Sequence, residues 1–155
     1  MQDDAAIIAR VNEILAAHQG MEGSLLPILH AIQEAFGYVP QAALPIIAQD
    51  LSLTKAEVHG VMSFYHDFRE NPAGRHVLKL CRAEACQSMG ADDLAAHAQN
   101  KLGIEWHETT KDGAVTLEPV FCLGLCACAP AAMVDGRLVG RVDAARFDAL
   151  LEEVR

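Results

Sequence analysis

The sequence predicts a mixed α/β chain, with a helical bundle over residues 1–72 and then a small β-sheet domain with flanking helices over residues 73–155. Three observations lead there. Residues 1–70 hold no cysteine and repeat their apolar side chains at helical spacing. Asn71-Pro72-Ala73-Gly74 is a breaker cluster and reads as a linker. Beyond it, short strand-like runs alternate with helical stretches, and all five cysteines lie in this half.

In the first half, Ile7, Ile8, Val11, Ile14 and Leu15 predict a helix over about residues 4–18, ended by Gln19-Gly20. Ser24 is placed to cap a second helix, with Pro27 tolerated in its first turn and Gly37 as its stop. Leu25, Leu29, Ile32 and Phe36 form its apolar stripe. Residues 41–50 predict a short third helix with Leu44, Ile47 and Leu51 inward. Thr54-Lys55-Ala56-Glu57 is a capping box for a fourth, whose inward face would use Val58, Val61, Met62, Tyr65 and Phe68.

In the second half, residues 76–81 read as a strand that delivers Cys81 at its end. Residues 90–102 read as a helix with Leu94, Ala95, Ala98 and Leu102 inward. Residues 114–121 read as a second strand delivering Cys122, with Pro119 confining it to an edge or a bulge. Asp135-Gly136 between two short apolar runs predicts a hairpin with a type I′ turn. Asp143 is placed to cap a last helix with Phe147, Leu150, Leu151 and Val154 inward. The order is β-α-β-β-β-α, and both cysteine pairs fall on loops at one end of the sheet.

Composition narrows the function classes. Lys plus Arg number 12 against 21 Asp plus Glu, for a net charge of −9. Such a chain is a poor ligand for a phosphate backbone or an anionic membrane surface. No apolar run approaches the roughly 18 residues of a membrane span. The N-terminal Met1-Gln2-Asp3-Asp4 carries acids where a secretory signal carries bases, which predicts a cytoplasmic location.

Cys81 and Cys86 form C-x4-C; after 35 intervening residues Cys122 and Cys126 form C-x3-C, with Cys128 completing C-x-C. Clustered cysteines in a cytoplasmic chain indicate metal or redox chemistry, and an odd count argues against a disulfide framework. Structural zinc sites favour tighter C-x2-C corners, whereas iron–sulfur clusters accept wider spacing because the thiolates reach two irons. Spacing therefore leans towards [2Fe–2S], with zinc as the competitor, and does not decide between Cys126 and Cys128 as ligand. Ala83, Ala85, Gly124, Ala127 and Ala129 leave room for backbone N–H groups to approach cluster sulfur, and Gly124 can adopt positive φ. The seven histidines form no paired ligand motif. Phe64, Tyr65 and Phe68 read as a core stripe rather than a docking face, and Arg82 and Arg137 as surface residues. No phosphate-binding loop, Gly-x-Gly-x-x-Gly or nucleophile elbow is present, which argues against a nucleotide site here.

Cys122-Leu-Gly-x-Cys126-x-x-Ala-Pro130, with Leu25-Leu-Pro-Ile-Leu-His-Ala-Ile-Gln33, Gly37-Tyr-Val-Pro40 and Glu57-Val-His-Gly-Val-Met-Ser-Phe-Tyr65, resembles the thioredoxin-like [2Fe–2S] ferredoxin family over nearly the whole chain. That family includes the 24-kDa subunit of NADH dehydrogenase. The resemblance implies a thioredoxin-like second domain and one [2Fe–2S] cluster held by Cys81, Cys86, Cys122 and Cys126, with Cys128 outside the ligand set. It implies an electron-transfer subunit without catalytic residues, docked on a flavin subunit that binds FMN and NAD. The loop Arg82-Ala-Glu-Ala85 departs from the Gly-Thr-like pair of many respiratory members. With the compact end of the chain, it most resembles the gamma subunit branch of soluble NAD-dependent molybdenum formate dehydrogenases. On that branch, formate is oxidised on a separate subunit carrying the molybdenum cofactor. The alternatives are the corresponding subunit of respiratory NADH:quinone oxidoreductase or NAD-reducing hydrogenase, a structural zinc interaction module, and a stand-alone thiol–disulfide enzyme.

Overall fold

The computed structural model describes residues 4–154. The chain divides into two compact units, Met1–Pro72 and Ala73–Arg155.

The first unit is helical, with α1 (Asp4–Ala17), α2 (Leu25–Phe36), α3 (Ala43–Asp50) and α4 (Lys55–Phe64). Its core gathers Val11 and Ile14 from α1, Leu29 and Ile32 from α2, Leu44 and Ile47 from α3, and Val58 and Met62 from α4. Gly37 ends α2 in the left-handed conformation at φ 80°, with its N–H on the Gln33 carbonyl at 2.7 Å. Thr54 and Glu57 form the reciprocal capping box. The Gln33 side chain donates to the Asp67 carbonyl at 2.6 Å and accepts from the Arg69 N–H at 2.7 Å, pinning the segment after α4.

Two expectations change here. Ser24 does not cap α2 through its side chain; its backbone is helical (φ −65°, ψ −10°), and it serves as an extra residue of the first turn, its carbonyl accepting from Ile28. The Phe64–Tyr65–Phe68 stripe is not a core stripe. α4 stops at Phe64 and Tyr65 is extended, so helical spacing no longer sets its direction. Phe64 is 73% exposed and Tyr65 45%, while Phe68 turns back into the core.

The second unit is a four-stranded sheet in the order β2-β1-β3-β4, made of β1 (His76–Cys81), β2 (Val115–Val120), β3 (Ala132–Val134) and β4 (Arg137–Val139). Two longer helices, α6 (Ala91–Leu102) and α7 (Ala144–Glu153), accompany the sheet, and a four-residue α5 (Glu84–Gln87) follows β1. β1 and β2 are parallel, as the crossover through α6 requires, and the other pairings are antiparallel. Leu78 and Leu80 of β1, Val115 and Leu117 of β2, Leu94 and Ala98 of α6, and Phe147 and Leu150 of α7 share one core. Pro119 sits on the edge strand. The turn between β3 and β4 has φ 49° at Asp135 and 87° at Gly136, the two positive values of a type I′ turn. Asp143 caps α7 by accepting from the Arg146 N–H at 2.8 Å. The β-α-β-β-β-α order holds, with α5 as the added piece. No helix among the described residues is long and apolar enough to cross a membrane.

Candidate metal centre

Because β1 and β2 run parallel and in register, with Cys81 opposite Val120, their C-terminal ends lie side by side. Cys81 closes β1, Cys86 lies in α5, and Cys122 follows β2 by two residues. Cys126 begins a 3-10 turn, Cys126–Cys128. Ala131, just before β3, ties the loops together: its carbonyl accepts from the Cys81 N–H at 2.9 Å, and its own N–H is directed at the Cys86 sulfur.

The thiols form two pairs. The sulfurs of Cys122 and Cys126 are 3.7 Å apart, and those of Cys81 and Cys86 are hydrogen-bonded. Two thiolates bound tetrahedrally to one metal at about 2.3 Å stand roughly 3.8 Å apart, so the exposed pair already has the spacing of a shared metal edge. Among the described residues, no three His, Cys, Asp or Glu side chains converge on the place of a single ion.

The thiols are electrostatically linked. Burial pushes the Cys81 thiol up, but hydrogen bonds from the Ala83 N–H, the Cys86 thiol and the Cys122 and Leu123 N–H groups leave it below the ordinary thiol value. Burial raises Cys86, helped by the bond it donates to Cys81 and by negative charge on Cys81 and Cys126. Cys126 is raised by its hydrogen bond to Cys122 and by charge on Cys122 and Cys81. The two pairs therefore feel each other: negative charge on Cys81 disfavours charge on both Cys86 and Cys126. Gly124 donates its N–H to the Cys122 sulfur at 3.4 Å and takes φ 76°, the conformation foreseen for it. Cys122 itself holds φ 90°, a conformation that costs a non-glycine residue about 1–3 kcal/mol.

Cys81 and Cys86 are buried, whereas Cys122 and Cys126 reach the surface beside Phe121, which is 73% exposed. The Cys128 Cβ faces Gly140. Arg82 is not a free surface cation: it pairs with Asp92 at 2.7 Å and lies over the Trp106 ring at 5.5 Å. His76, His97 and His107 are each engaged by a carboxylate, those of Asp135, Asp148 and Glu118. Sequence reasoning missed α5 and the linking role of Ala131, since neither carries a distinctive residue pattern.

Residues 11–155 match the thioredoxin-like [2Fe-2S] ferredoxin family, and the chain belongs to it. The cofactor of that family is a [2Fe–2S] cluster, and the paired thiols with their N–H donors fit it. The chain is 39% identical over 140 residues to an NADH-quinone oxidoreductase subunit of Rhizobium meliloti (strain 1021), covering 90% of this chain and 83% of the relative. It is 33% identical over 132 residues to the NADP-reducing hydrogenase subunit HndA of Solidesulfovibrio fructosivorans, covering 85% and 77%. A solved NAD+-reducing [NiFe]-hydrogenase superposes with a TM-score of 0.70 at 31% identity. That match takes in 84% of this chain and 22% of a much longer one.

Proposed function

We propose that this chain is the electron-transfer subunit of an NAD-linked oxidoreductase complex in the cytoplasm, and that Cys81, Cys86, Cys122 and Cys126 hold its [2Fe–2S] cluster. The observation that carries this reading is the arrangement of two thiol pairs at the common end of two parallel strands, with backbone N–H groups aimed at their sulfurs. The bound cluster supplies a one-electron site with no need of an open coordination position. The chain's own part is to hold four thiolates, to donate N–H groups that stabilise added negative charge, and to exclude water from the Cys81–Cys86 side. The exposed Cys122–Cys126 side is the edge through which single electrons pass to or from FMN on a neighbouring NAD-binding subunit.

The Rhizobium and Solidesulfovibrio relatives support a parent complex of the NADH-quinone oxidoreductase or hydrogenase type. Neither of them is a formate dehydrogenase, and that branch, with its molybdenum-containing formate-oxidising subunit, rests on the first ligand loop, Cys81-Arg-Ala-Glu-Ala-Cys86-Gln.

Affinity purification of the tagged chain from its own cells tests the proposal. We expect a flavin-containing partner that binds NAD, and anaerobic NADH should bleach the cluster in the complex within the turnover time. A molybdenum-bearing partner that oxidises formate assigns the formate branch, and a quinone-reducing or hydrogen-oxidising assembly assigns the others. Recovery of the chain with no flavoprotein, and a cluster inert to NADH, would overturn the assignment.

A further inference from the structure

Gly140 has no conformational reason to be glycine, since its φ lies outside the left-handed region. The reason is space. A Cβ at this position would lie 2.7 Å from the Cys128 Cβ and 2.9 Å from the Cys128 carbonyl oxygen, well inside the 3.5–4.0 Å of favourable contact between non-bonded atoms. Just beyond this approach the two segments are bonded. The Arg141 N–H donates to the Cys128 carbonyl at 2.6 Å and the Val142 N–H to the Pro130 carbonyl at 2.9 Å. Upstream, the Cys128 N–H donates to the Leu125 carbonyl at 2.8 Å, closing the turn that carries Cys126. Downstream, Ala131 joins the same segment to Cys81 and Cys86. Behind residues 140–142 stands α7, fixed by the Asp143 cap and by Phe147 in the core.

We propose that Gly140 is a positioning residue for the cluster: by carrying no Cβ, it lets residues 140–142 seat against residues 128–130, and that seating sets where Cys126 stands relative to Cys122 and the buried pair. This inference deepens the [2Fe–2S] reading and rests on it. The clamp gives the last strand–helix connection a task beyond closing the fold.

The test uses the full chain, reconstituted anaerobically with iron and sulfide, as wild type, Gly140→Ala, Gly140→Val and Leu150→Ala. The last variant removes buried volume from α7 and serves as a control for general destabilisation. Visible circular dichroism of the oxidised cluster, EPR of the reduced cluster and the half-life against an iron chelator are read on each. Gly140→Ala should change both spectra and shorten the half-life about 10-fold or more, the range seen when groups supporting metal ligands are altered, and Gly140→Val should do so further. Leu150→Ala should lower Tm and leave both spectra as in wild type. Wild-type spectra and half-life in Gly140→Ala, or the same spectral change in Leu150→Ala, overturn the clamp while leaving the cluster assignment standing. A wild-type chain that takes up no iron overturns both. Should Gly140→Ala fail to fold, hydrogen exchange on wild type decides: the Arg141 and Val142 amides should slow about 10-fold or more on cluster incorporation, and unchanged rates contradict the proposal.

Discussion

Cys126 and Cys128 are separated by one residue; the Cys126 sulfur lies 3.7 Å from that of Cys122, and the Cys128 Cβ faces Gly140. Cysteine spacing left these two open, because both sit in the same short motif and the deciding contact comes from a residue twelve positions further on. The C-x4-C and C-x3-C spacings mark two local clusters in the sequence, and only the family resemblance separates Cys126 from Cys128 there. Cys86→Ser or Cys122→Ser should abolish or badly destabilise the cluster, while Cys128→Ser should leave it assembled; the visible spectrum and iron content of the purified variants check this. Bleaching by Cys128→Ser with survival of Cys126→Ser would reverse the ligand assignment. A second residue-scale prediction concerns Asp135. Burial pushes its carboxyl up, but bonds from His76 and the Val77 N–H, with the charge of His76, leave it below its ordinary value. A depressed carboxyl stabilises the fold above its unfolded pKa, and that contribution is lost as pH falls through the folded value. Asp135→Asn, which tolerates the φ of 49° there, should cost no more than about 1 kcal/mol at neutral pH, and the difference from wild type should vanish on acidification. Thermal unfolding across pH measures it; a deficit that persists in acid would contradict the linkage.

At the scale of elements, periodicity and caps carried most of the fold. The helix of residues 4–17, the capping box at Thr54, the Asp135-Gly136 hairpin and the Asp143 cap are each written within a few adjacent residues, and each stands as expected. Elements read less well where local pattern and tertiary demand part. Ser24 has the chemistry of a cap but the backbone of a first-turn residue, and Tyr65 lies at helical spacing beyond the last helical residue. The short α5 is set by the need to return the chain from Cys81 to Cys86, so no apolar period announces it. Thr54→Ala should destabilise the helical unit by about 1 kcal/mol through loss of the N-cap bond, read as a lower unfolding midpoint. Leu29→Ala, at a fully buried position of α2, should cost about 2–5 kcal/mol in the same assay. Equal effects from the two would contradict the core described for that unit.

For the whole molecule, the division of labour follows from chemistry. The acidic chain with net charge −9 lacks the nucleotide-binding and nucleophile motifs that substrate chemistry would use, and its conspicuous reactive groups are thiols gathered at one sheet end. A carrier of single electrons needs no more, provided that partners supply hydride transfer. The central claim is that the two thiol pairs hold one [2Fe–2S] cluster. The most direct measurement is iron, zinc and acid-labile sulfide on anaerobically purified protein, with the visible spectrum of the same sample. A [2Fe–2S] cluster requires about two irons and two sulfides per chain, and a reddish-brown colour bleached by dithionite. About one zinc per chain without sulfide, together with failure to reconstitute a cluster from iron and sulfide, would contradict the claim and leave a structural metal site in place of an electron carrier.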